Sequence, residues 1–322
     1  MKHVSIEIIR RCPNNCMHCS SESGPACKEI IDVQKVREVF DGLEKMKVEE
    51  VSLSGGEPFL HSDLVDIVKY GKSKGFKINI YTSGIMFNDN NECISLNANI
   101  LDELSKVGVD KLIFNMQSLK DDVYDKIMGT KGNLPLLIKS IKDTKERNIY
   151  TELHFVPMKL NYRDIDQIVD FLNKGKVDKV SFLGLIPHGR AKVNKDKLFL
   201  DKDTNLQVKK LLHKLESEKV RVGIPLQLEE AECKCTAGRD KLYIKFDGDV
   251  YGCEAFKYIH LYKDNKKTME VLPDSIFEKN IKDIFDNSQY LKAAENKIKS
   301  IFENDNVHEK CPRQEELREM EK

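Results

Sequence analysis

The sequence predicts an α/β fold: a partial (β/α)6 TIM-like barrel followed by a small C-terminal domain made of a β-hairpin and a helix. Short apolar segments alternate with amphipathic segments from the N-terminus as far as Arg190. This alternation then stops, and the later turn Asp247-Gly248-Asp249 lies between two apolar runs, which is typical of a hairpin. We therefore predict a barrel domain over residues 1–200 and a C-terminal domain over residues 201–322.

The six strand–helix repeats of the first domain imply a parallel sheet with helices on its outer side. Since about eight repeats close a full barrel, a shorter series indicates an open one. The predicted strands are Val4–Ile9, Val51–Ser54, Lys77–Thr82, Lys111–Met116, Glu152–Val156 and Lys179–Leu183. The clearest helices between them are Val33–Met46, Asp63–Lys74, Leu134–Arg147 and Arg163–Asn173.

The C-terminal domain shows a different pattern. Asp201–Lys219 predicts a long amphipathic helix, and Leu242–Phe246 with Val250–Cys253 predicts the two strands of the hairpin. Ile281–Phe302 predicts a largely helical segment. The charged tail Gln314–Lys322 predicts either a short helix or disorder.

One face of the predicted sheet is repeatedly polar. In the first strand, Ser5 and Glu7 alternate with Val4, Ile6 and Ile8, and the next four strands repeat this alternation. A parallel sheet that is covered on both faces usually has continuous apolar strands. The polar face therefore favours a sheet that curls around a polar lumen holding a ligand. The alternative is that some strands are half exposed.

The composition argues against several classes of protein. The chain has 322 residues with 53 Lys+Arg and 53 Asp+Glu, so it lacks the basic excess of a nucleic-acid binder. No apolar run approaches the ~18 residues of a membrane span, and we see no signal peptide. These absences predict a cytoplasmic protein with no membrane partner. Its 9 cysteines then favour metal binding over disulfides.

Three cysteines near the N-terminus form the pattern C-x3-C-x2-C: Cys12, Cys16 and Cys19. Three thiolates on one loop can hold three irons of a four-iron cluster and leave the fourth iron open. An open iron can bind a small molecule and pass it an electron, which favours a redox enzyme. A zinc site is the alternative, but zinc requires a fourth protein ligand, for which only Cys27 or His18 is near.

The cysteine loop and the turn Ser54–Pro58, which reads Ser-Gly-Gly-Glu-Pro, resemble the radical S-adenosylmethionine (SAM) superfamily. The resemblance implies a [4Fe–4S] cluster on the three cysteines, with SAM on the open iron. It further implies that backbone at Gly55 and Gly56 and the acidic Glu57 receive the methionyl ammonium of SAM. His18 takes the place of an aromatic residue that leans on the adenine.

Further residues match the family less specifically. The resemblance implies that Ser83, at the end of the third strand, contacts SAM. Asn115 and Gln117 on the fourth strand and His154 on the fifth are candidates for SAM or substrate contacts, or for a polar lining only. Arg190, in a Gly-Arg-Ala turn, is a candidate clamp for the SAM carboxylate because a guanidinium suits bidentate pairing. Alternatively, it is a salt-bridged surface arginine.

Four cysteines lie in the C-terminal third: Cys233, Cys235, Cys253 and Cys311. The stretch 235–253 resembles the SPASM and twitch extensions of the superfamily, which bind auxiliary iron–sulfur clusters. Four cysteines suit one auxiliary cluster, as in a twitch-like domain, with Cys235, Cys253 and Cys311 as ligands. Cys233 is either a fourth ligand or a catalytic thiol that donates hydrogen to a substrate radical. The alternative is that all four are small buried apolar residues.

The resemblance implies an enzyme that reductively cleaves SAM to a 5′-deoxyadenosyl radical and abstracts a hydrogen atom from its substrate, with a flavodoxin- or ferredoxin-type electron donor. A peptide-modifying maturase that crosslinks or epimerises residues is the first expectation. The chain starts directly at its first strand, so a leader-binding segment lies elsewhere or the substrate is not a long peptide. The alternatives are a dehydrogenase or decarboxylase of a small cofactor or sugar, and a non-catalytic iron–sulfur redox sensor.

Overall fold

The computed structural model describes residues 1–228, 235–257, 259–262 and 269–303. The strands are β1 (His3–Ile9), β2 (Glu50–Gly55), β3 (Lys77–Thr82), β4 (Ile85–Phe87), β5 (Cys93–Ser95), β6 (Lys111–Asn115), β7 (Tyr150–Phe155), β8 (Lys179–Phe182), β9 (Val220–Val222), β10 (Lys241–Ile244), β11 (Val250–Tyr251), β12 (Leu261–Tyr262) and β13 (Glu270–Val271). The helices are α1 (Val33–Lys45), α2 (Leu64–Ser73), α3 (Ala98–Val107), α4 (Asp121–Met128), α5 (Leu134–Glu146), α6 (Ile165–Asn173), α7 (Arg190–Val193), α8 (Lys195–Leu198), α9 (Lys202–Leu215), α10 (Ile281–Asn287) and α11 (Gln289–Glu303).

The main sheet has nine strands in the order β11-β10-β1-β2-β3-β6-β7-β8-β9. The six strands predicted from the sequence are β1, β2, β3, β6, β7 and β8, and they lie side by side in that order, all parallel. The α/β fold with a partial parallel barrel is therefore confirmed.

The C-terminal hairpin is also confirmed, and it belongs to the same sheet. β10 and β11 are antiparallel, while β10 pairs in parallel with β1 and places Tyr243 beside Ser5. At the opposite edge, β9 pairs in parallel with β8. The segments after residue 200 thus add strands to both edges of the barrel sheet. The domain boundary at residue 200 stays a prediction.

Two predicted helical segments differ in detail from the structure. The helix predicted over Asp201–Lys219 ends at Leu215, because the chain becomes extended and enters β9. The largely helical segment predicted over Ile281–Phe302 is confirmed, but it consists of the two helices α10 and α11. They meet at Ser288, whose Oγ accepts a hydrogen bond from the N–H of Leu291 at 3.2 Å. A serine in this position caps the start of a new helix, α11.

The two faces of the barrel sheet differ in chemistry. Val4, Ile6 and Ile8 face the helices and are at most 1% exposed. On the opposite face, Ser5 lies beside Ser52. Both are buried as well, Ser5 at 2% and Ser52 at 0% exposure. A polar face that is fully buried lines an interior, so the alternative of half-exposed strands is wrong. The sheet encloses the polar lumen that the alternation predicts.

Several helices begin at a side chain that caps them. Asp32 accepts a hydrogen bond from the N–H of Lys35 at the start of α1, and Asp201 does the same for Thr204 at the start of α9. Such caps satisfy N–H groups that have no partner within the helix. Among the described residues, no helix is long and apolar enough to cross a membrane.

Candidate active site

A cavity of about 300 Å³ opens at the carboxyl ends of the barrel strands. Active sites of β/α barrels form at this end because the strand ends and their following loops converge there. The predicted site residues that line the cavity are Cys12, Cys16, His18, Cys19, Gly55, Gly56, Ser83, Asn115, His154 and Arg190. The structure thus brings together ten residues that the sequence places on six separate segments.

The three-cysteine loop is held by backbone hydrogen bonds on both sides. The N–H of Cys12 donates to the carbonyl of Gly24 at 3.1 Å, within the same loop. From the other side, the N–H of Met17 donates to the carbonyl of Ile127 at 2.8 Å, near the end of α4. A loop with its backbone groups paired in this way presents its side chains in a fixed arrangement.

The two glycines at the end of β2 are in close backbone contact with the start of the cysteine loop. The N–H of Gly56 donates to the carbonyl of Ile9 at 2.6 Å, and that of Glu57 donates to the carbonyl of Arg11 at 2.8 Å. A Cβ on Gly55 would lie 2.0 Å from the Ile9 oxygen, and one on Gly56 would lie 2.1 Å from the Arg11 oxygen. Only glycine permits this approach. The Gly-Gly pair therefore sets the position of the loop.

Glu57 lies behind the cavity wall and does not line it. Its buried carboxylate accepts hydrogen bonds from the Thr82 hydroxyl at 2.8 Å and from the N–H groups of Ser83 at 2.7 Å and Phe59 at 3.2 Å. Burial raises the pKa of Glu57 to about 7, although these hydrogen bonds act in the opposite direction. The side chain therefore fixes the end of β3, where Ser83 faces the cavity.

Gln117 has a comparable supporting position. It is fully buried outside the cavity lining, and its amide nitrogen donates to the side-chain oxygen of Asn115. Its side-chain oxygen accepts a hydrogen bond from the N–H of Val156 at 3.0 Å. The structure therefore places Gln117 as a support for Asn115, which does line the cavity.

Arg190 also holds the cysteine loop in place, through hydrogen bonds to two backbone carbonyls. Its Nε donates to the carbonyl of Cys16 at 2.8 Å, and its Nη2 donates to the carbonyl of Ser23 at 2.7 Å. The preceding Gly189 has a positive φ of 54°, and a Cβ there would lie 2.7 Å from the carbonyl oxygen of Ser20. Arg190 is partly buried in the cavity wall and is not a salt-bridged surface residue in the part of the chain that the structure describes.

His154 belongs to a chain of polar contacts across the lumen. Its Nε2 lies 3.3 Å from Oε1 of Glu152, and its ring packs against that of Tyr81 with centroids 5.2 Å apart. Burial lowers the pKa of His154. Burial alone would raise the pKa of Glu152, but hydrogen bonds from His154 and Ser181 and the charge of Lys111 lower it to about 2.

Two properties of the loop residues bear on whether an iron–sulfur cluster fits there. They are the pKa values of the thiols and the buried polar atoms that have no hydrogen-bond partner. Burial, with the neighbouring sulfurs, raises the pKa of Cys12 well above its usual value and that of Cys16 to about 12. Thiols in this state need a metal to become thiolates. Both side-chain polar atoms of Asn14 and Nδ1 of His18 are buried with no hydrogen-bond partner. Buried polar groups are rarely left unpaired, so these residues fit a polar group bound at the loop.

The zinc alternative fits less well. Cys27 does not line the cavity, and its sulfur contacts the carbonyl of Glu22 at 3.8 Å. Among the described residues, no three His, Cys, Asp or Glu side chains form a group that could hold a single metal ion. Burial, with the charge of Arg190, lowers the pKa of His18 to about 4, so this ring is neutral. A neutral imidazole could bind zinc, but among the described residues no further side chains complete such a site around it.

The C-terminal cysteines are only partly described. Cys235 and Cys253 are both half buried, and they flank the hairpin, whose feet are joined by a 3.1 Å hydrogen bond from the N–H of Gly238 to the carbonyl of Gly252. Cys233 and Cys311 lie outside the described residues, so their predicted roles stay predictions. Neither Cys235 nor Cys253 lines the cavity.

Several residues of the cavity wall are not predicted by any motif in the sequence. Glu7, Ser20, Ser21, Tyr243 and Lys257 line it and contact one another. Glu7 lies on the predicted polar face of β1, which was a usable signal. Lys257 carries no comparable sequence signal, because nothing in its local sequence indicates that it contacts residues more than 230 positions away.

A model of the radical SAM superfamily matches residues 6–172, just over half of the chain. The chain is a member of the radical SAM superfamily. The SPASM iron–sulfur cluster-binding domain matches residues 233–313. The expected cofactors, a [4Fe–4S] cluster with SAM and auxiliary iron–sulfur binding at the C-terminus, are confirmed at the level of the family. A single auxiliary cluster stays a prediction.

Three curated relatives of this radical SAM protein have names that state an activity. Fe-coproporphyrin III synthase of Methanosarcina barkeri is 26% identical over 59% of this chain, which spans only 46% of that relative. A tungsten-containing aldehyde ferredoxin oxidoreductase cofactor-modifying protein of Pyrococcus furiosus is 23% identical over 90% of this chain and 82% of its own. PqqA peptide cyclase of Ruegeria pomeroyi is 26% identical over 80% of this chain and 69% of its own.

Solved structures show the same fold. SuiB of Streptococcus suis bound to S-adenosylmethionine matches with a TM-score of 0.69 and 18% identity, over 91% of this chain and 67% of SuiB. The enzyme anSMEcpe with bound AdoMet matches with a TM-score of 0.64 and 12% identity, over 91% of this chain and 82% of its own. At these identities the likeness concerns the fold of the radical SAM protein alone.

Proposed function

We propose that this radical SAM enzyme is a peptide-modifying maturase that crosslinks or epimerises residues of its substrate. The observation that carries the proposal is the cavity, which is lined together by the three-cysteine loop, by the ends of the barrel strands and by Glu254 and Lys257 of the C-terminal turn. When bound, the cluster and SAM supply a 5′-deoxyadenosyl radical that removes a hydrogen atom from the substrate. The chain's own residues hold these groups and exclude water.

Four sets of residues would hold the cofactors. Cys12, Cys16 and Cys19 bind the SAM cluster, and His18 with its neutral ring leans on the adenine. Backbone at Gly55 and Gly56 receives the methionyl ammonium, while Glu57 acts through Ser83, which it orients. Arg190 keeps the cysteine loop in place through Nε and Nη2, and the remainder of its guanidinium would pair with the SAM carboxylate. Cys235, Cys253 and Cys311 bind the auxiliary cluster.

The substrate would lie against the part of the cavity lining that does not hold the cofactors. Asn115 and His154 are polar groups at the ends of neighbouring strands, and Ile113, Leu183 and Leu185 provide apolar surface beside them. A mixed lining of this kind suits an amino-acid side chain with an apolar body and polar backbone. Cys233 is the proposed hydrogen donor for an epimerisation.

The names of the relatives support the peptide substrate. PqqA peptide cyclase is a curated relative, and SuiB has been solved with its precursor peptide SuiA. A second candidate is modification of a small cofactor, because the cofactor-modifying protein of Pyrococcus furiosus matches 90% of this chain, the largest share among these relatives. The membership in an enzyme family argues against a non-catalytic redox sensor.

Anaerobic reconstitution with iron, sulfide, dithionite and SAM tests the reaction class. We expect 5′-deoxyadenosine from wild type and none from Cys16→Ala, while Cys93→Ala, with a half-buried cysteine on β5, keeps the wild-type rate. If Cys16→Ala still forms 5′-deoxyadenosine, the ligand assignment fails.

The substrate class is tested separately, with peptides encoded next to this gene and mass spectrometry in D₂O. Loss of two hydrogens indicates a crosslink, and gain of one deuterium indicates epimerisation. Cleavage of SAM with no change in any such peptide favours the cofactor alternative.

A further inference from the structure

Lys257 is a buried cation where the C-terminal segment meets the barrel. Its side chain is 1% exposed. Its ammonium lies 2.7 Å from Oγ of Ser21, 3.1 Å from Oγ of Ser20, 3.1 Å from the Tyr243 hydroxyl and 3.5 Å from Oε1 of Glu7. An ammonium has three N–H groups, and these four acceptors already use them. The residue therefore joins protein segments and has no donor left for a ligand.

The segments that Lys257 joins carry the two sets of cysteines. Ser20 and Ser21 directly follow Cys19 of the three-cysteine loop. Lys257 ends the short turn that begins at Cys253, the cysteine at the second foot of the hairpin. A single side chain thus connects the loop that holds the SAM cluster with the turn that follows an auxiliary-cluster ligand.

The same turn has a second contact with the support of the cysteine loop. The carbonyl of Ala255 lies 3.3 Å from Nε2 of buried His188. His188 precedes Gly189 and Arg190, which contact the loop directly. The turn therefore reaches the loop by two routes, and Lys257 is the direct one.

Glu7 explains why a charge is tolerated here. It is 3% exposed, and it receives the Ser21 hydroxyl in addition to the Lys257 ammonium. A buried ion pair is costly to desolvate, and a hydrophobic pair of similar size often gives equal stability. The pair is more readily explained by the fixed position it gives to the residues around it than by the stability it adds.

We propose that Lys257 is a positioning residue of the SAM site, which couples the auxiliary-cluster turn to the three-cysteine loop. This inference rests on the proposed function. In its absence Ser20 and Ser21 lose their link to the C-terminal turn, and the loop binds SAM less tightly even with its cluster intact. The effect concerns SAM affinity and the electronic environment of the cluster, and it needs no knowledge of the substrate.

The test compares Lys257→Met with Lys279→Met in the full-length, anaerobically reconstituted protein. Lys279 is half exposed and pairs with Asp274, away from the cavity. SAM binding is followed by the change that SAM causes in the electron paramagnetic resonance spectrum of the reduced cluster. We expect the Kd for SAM to rise about tenfold in Lys257→Met, with an altered spectrum, and to stay at the wild-type value in Lys279→Met. Iron content should be equal in both.

A double variant keeps the proposal falsifiable if Lys257→Met alone leaves Glu7 as an unpaired buried charge and misfolds. Glu7→Gln/Lys257→Met removes both charges, yet still lacks the bridge to Ser20 and Ser21, so we expect the same weak binding of SAM. Wild-type affinity and spectrum in a folded single or double variant overturn the proposal. If wild type itself shows no spectral change with SAM, the proposed function fails instead.

Discussion

The carboxylate of Glu57 receives both the hydroxyl of Ser83, at 2.5 Å, and its backbone N–H, at 2.7 Å. The acidic residue of the Gly-Gly-Glu-Pro turn thus holds the end of the neighbouring strand. This arrangement explains how a fully buried acid contributes to a site that its side chain does not line. It also has a consequence for the pH dependence of stability.

We expect Glu57→Gln to remove one contribution to the pH dependence of stability. The pKa of Glu57 is raised from 4.5 to about 7 by burial, so the folded state holds a proton that the unfolded state has lost between these values. Relative to Glu57→Gln, the free energy of unfolding of the cluster-free wild type should therefore fall by on the order of 3 kcal/mol as pH rises from 4.5 to 7, because buried histidines with a lowered pKa, such as His18, contribute equally to both proteins.

Urea unfolding at several pH values between 5 and 7.5 measures this effect. Glu57→Gln should be less stable than wild type by ~1–3 kcal/mol near pH 5, because an amide cannot accept from all the donors around it. This difference should shrink as pH rises, since only wild type loses the contribution of the raised Glu57 pKa. Glu146→Gln, an exposed residue of α5, should follow the pH dependence of wild type. A difference between wild type and Glu57→Gln that does not change with pH would contradict the assignment of the shift to this group.

Gly56→Ala should disrupt the cysteine loop. The added Cβ would lie 2.1 Å from the Arg11 carbonyl oxygen, so the end of β2 must move away at a cost of ~1–3 kcal/mol. Gly24→Ala is the matched control, since its Cβ would meet nothing closer than 3.6 Å although Gly24 also contacts the loop. Iron content after reconstitution and the melting temperature should fall in the first variant alone.

Arg190→Lys should weaken the SAM site without unfolding the protein. A lysine cannot replace both the Nε contact with Cys16 and the Nη2 contact with Ser23. The loss of one charged hydrogen bond corresponds to about a tenfold rise in the Kd for SAM, or ~1.4 kcal/mol. Arg163→Lys, at an exposed site, should bind SAM as wild type does. If the two variants bind SAM with equal affinity, the hydrogen bonds of Arg190 to Cys16 and Ser23 do not contribute to SAM binding.

Cys253→Ala should lose the iron of one cluster and retain the other. In the proposed assignment the SAM cluster and the auxiliary cluster use separate sets of cysteines, and only the auxiliary set includes Cys253. Iron and sulfide analysis with Mössbauer spectroscopy distinguishes the remaining cluster. Cys93→Ala should retain the full iron content. Loss of all iron from Cys253→Ala, in protein that stays folded, would mean that the clusters do not assemble independently.

Much of the fold follows from local patterns. The six parallel strands and the polar lumen are visible as alternating residues, and the three-cysteine loop and the Gly-Gly-Glu-Pro turn are visible as motifs. By contrast, the pairing of β10 with β1 joins segments more than 230 residues apart, and the three residues of β9 are too few to show a period. Turn signals predict which strands form a hairpin, but not the sheet to which the hairpin attaches.

The site divides in the same way. Cys12, Cys16, Cys19 and Arg190 could be found because motifs mark them. The supporting positions of Glu57 and Gln117 could not be found, because whether a polar side chain faces a cavity or lies behind its wall depends on tertiary hydrogen bonds. Lys257 is the extreme example, since its partners come from β1, the cysteine loop and β10.

The parallel pairing of β10 with β1 has a consequence for synthesis on the ribosome. β1 emerges well before β10 and has one neighbour in β2, but its other edge stays open until residues 241–244 have been made. During that interval an unpaired strand edge is exposed to other nascent chains, which is a hazard for aggregation. Expression of residues 1–200 alone would make this exposure permanent.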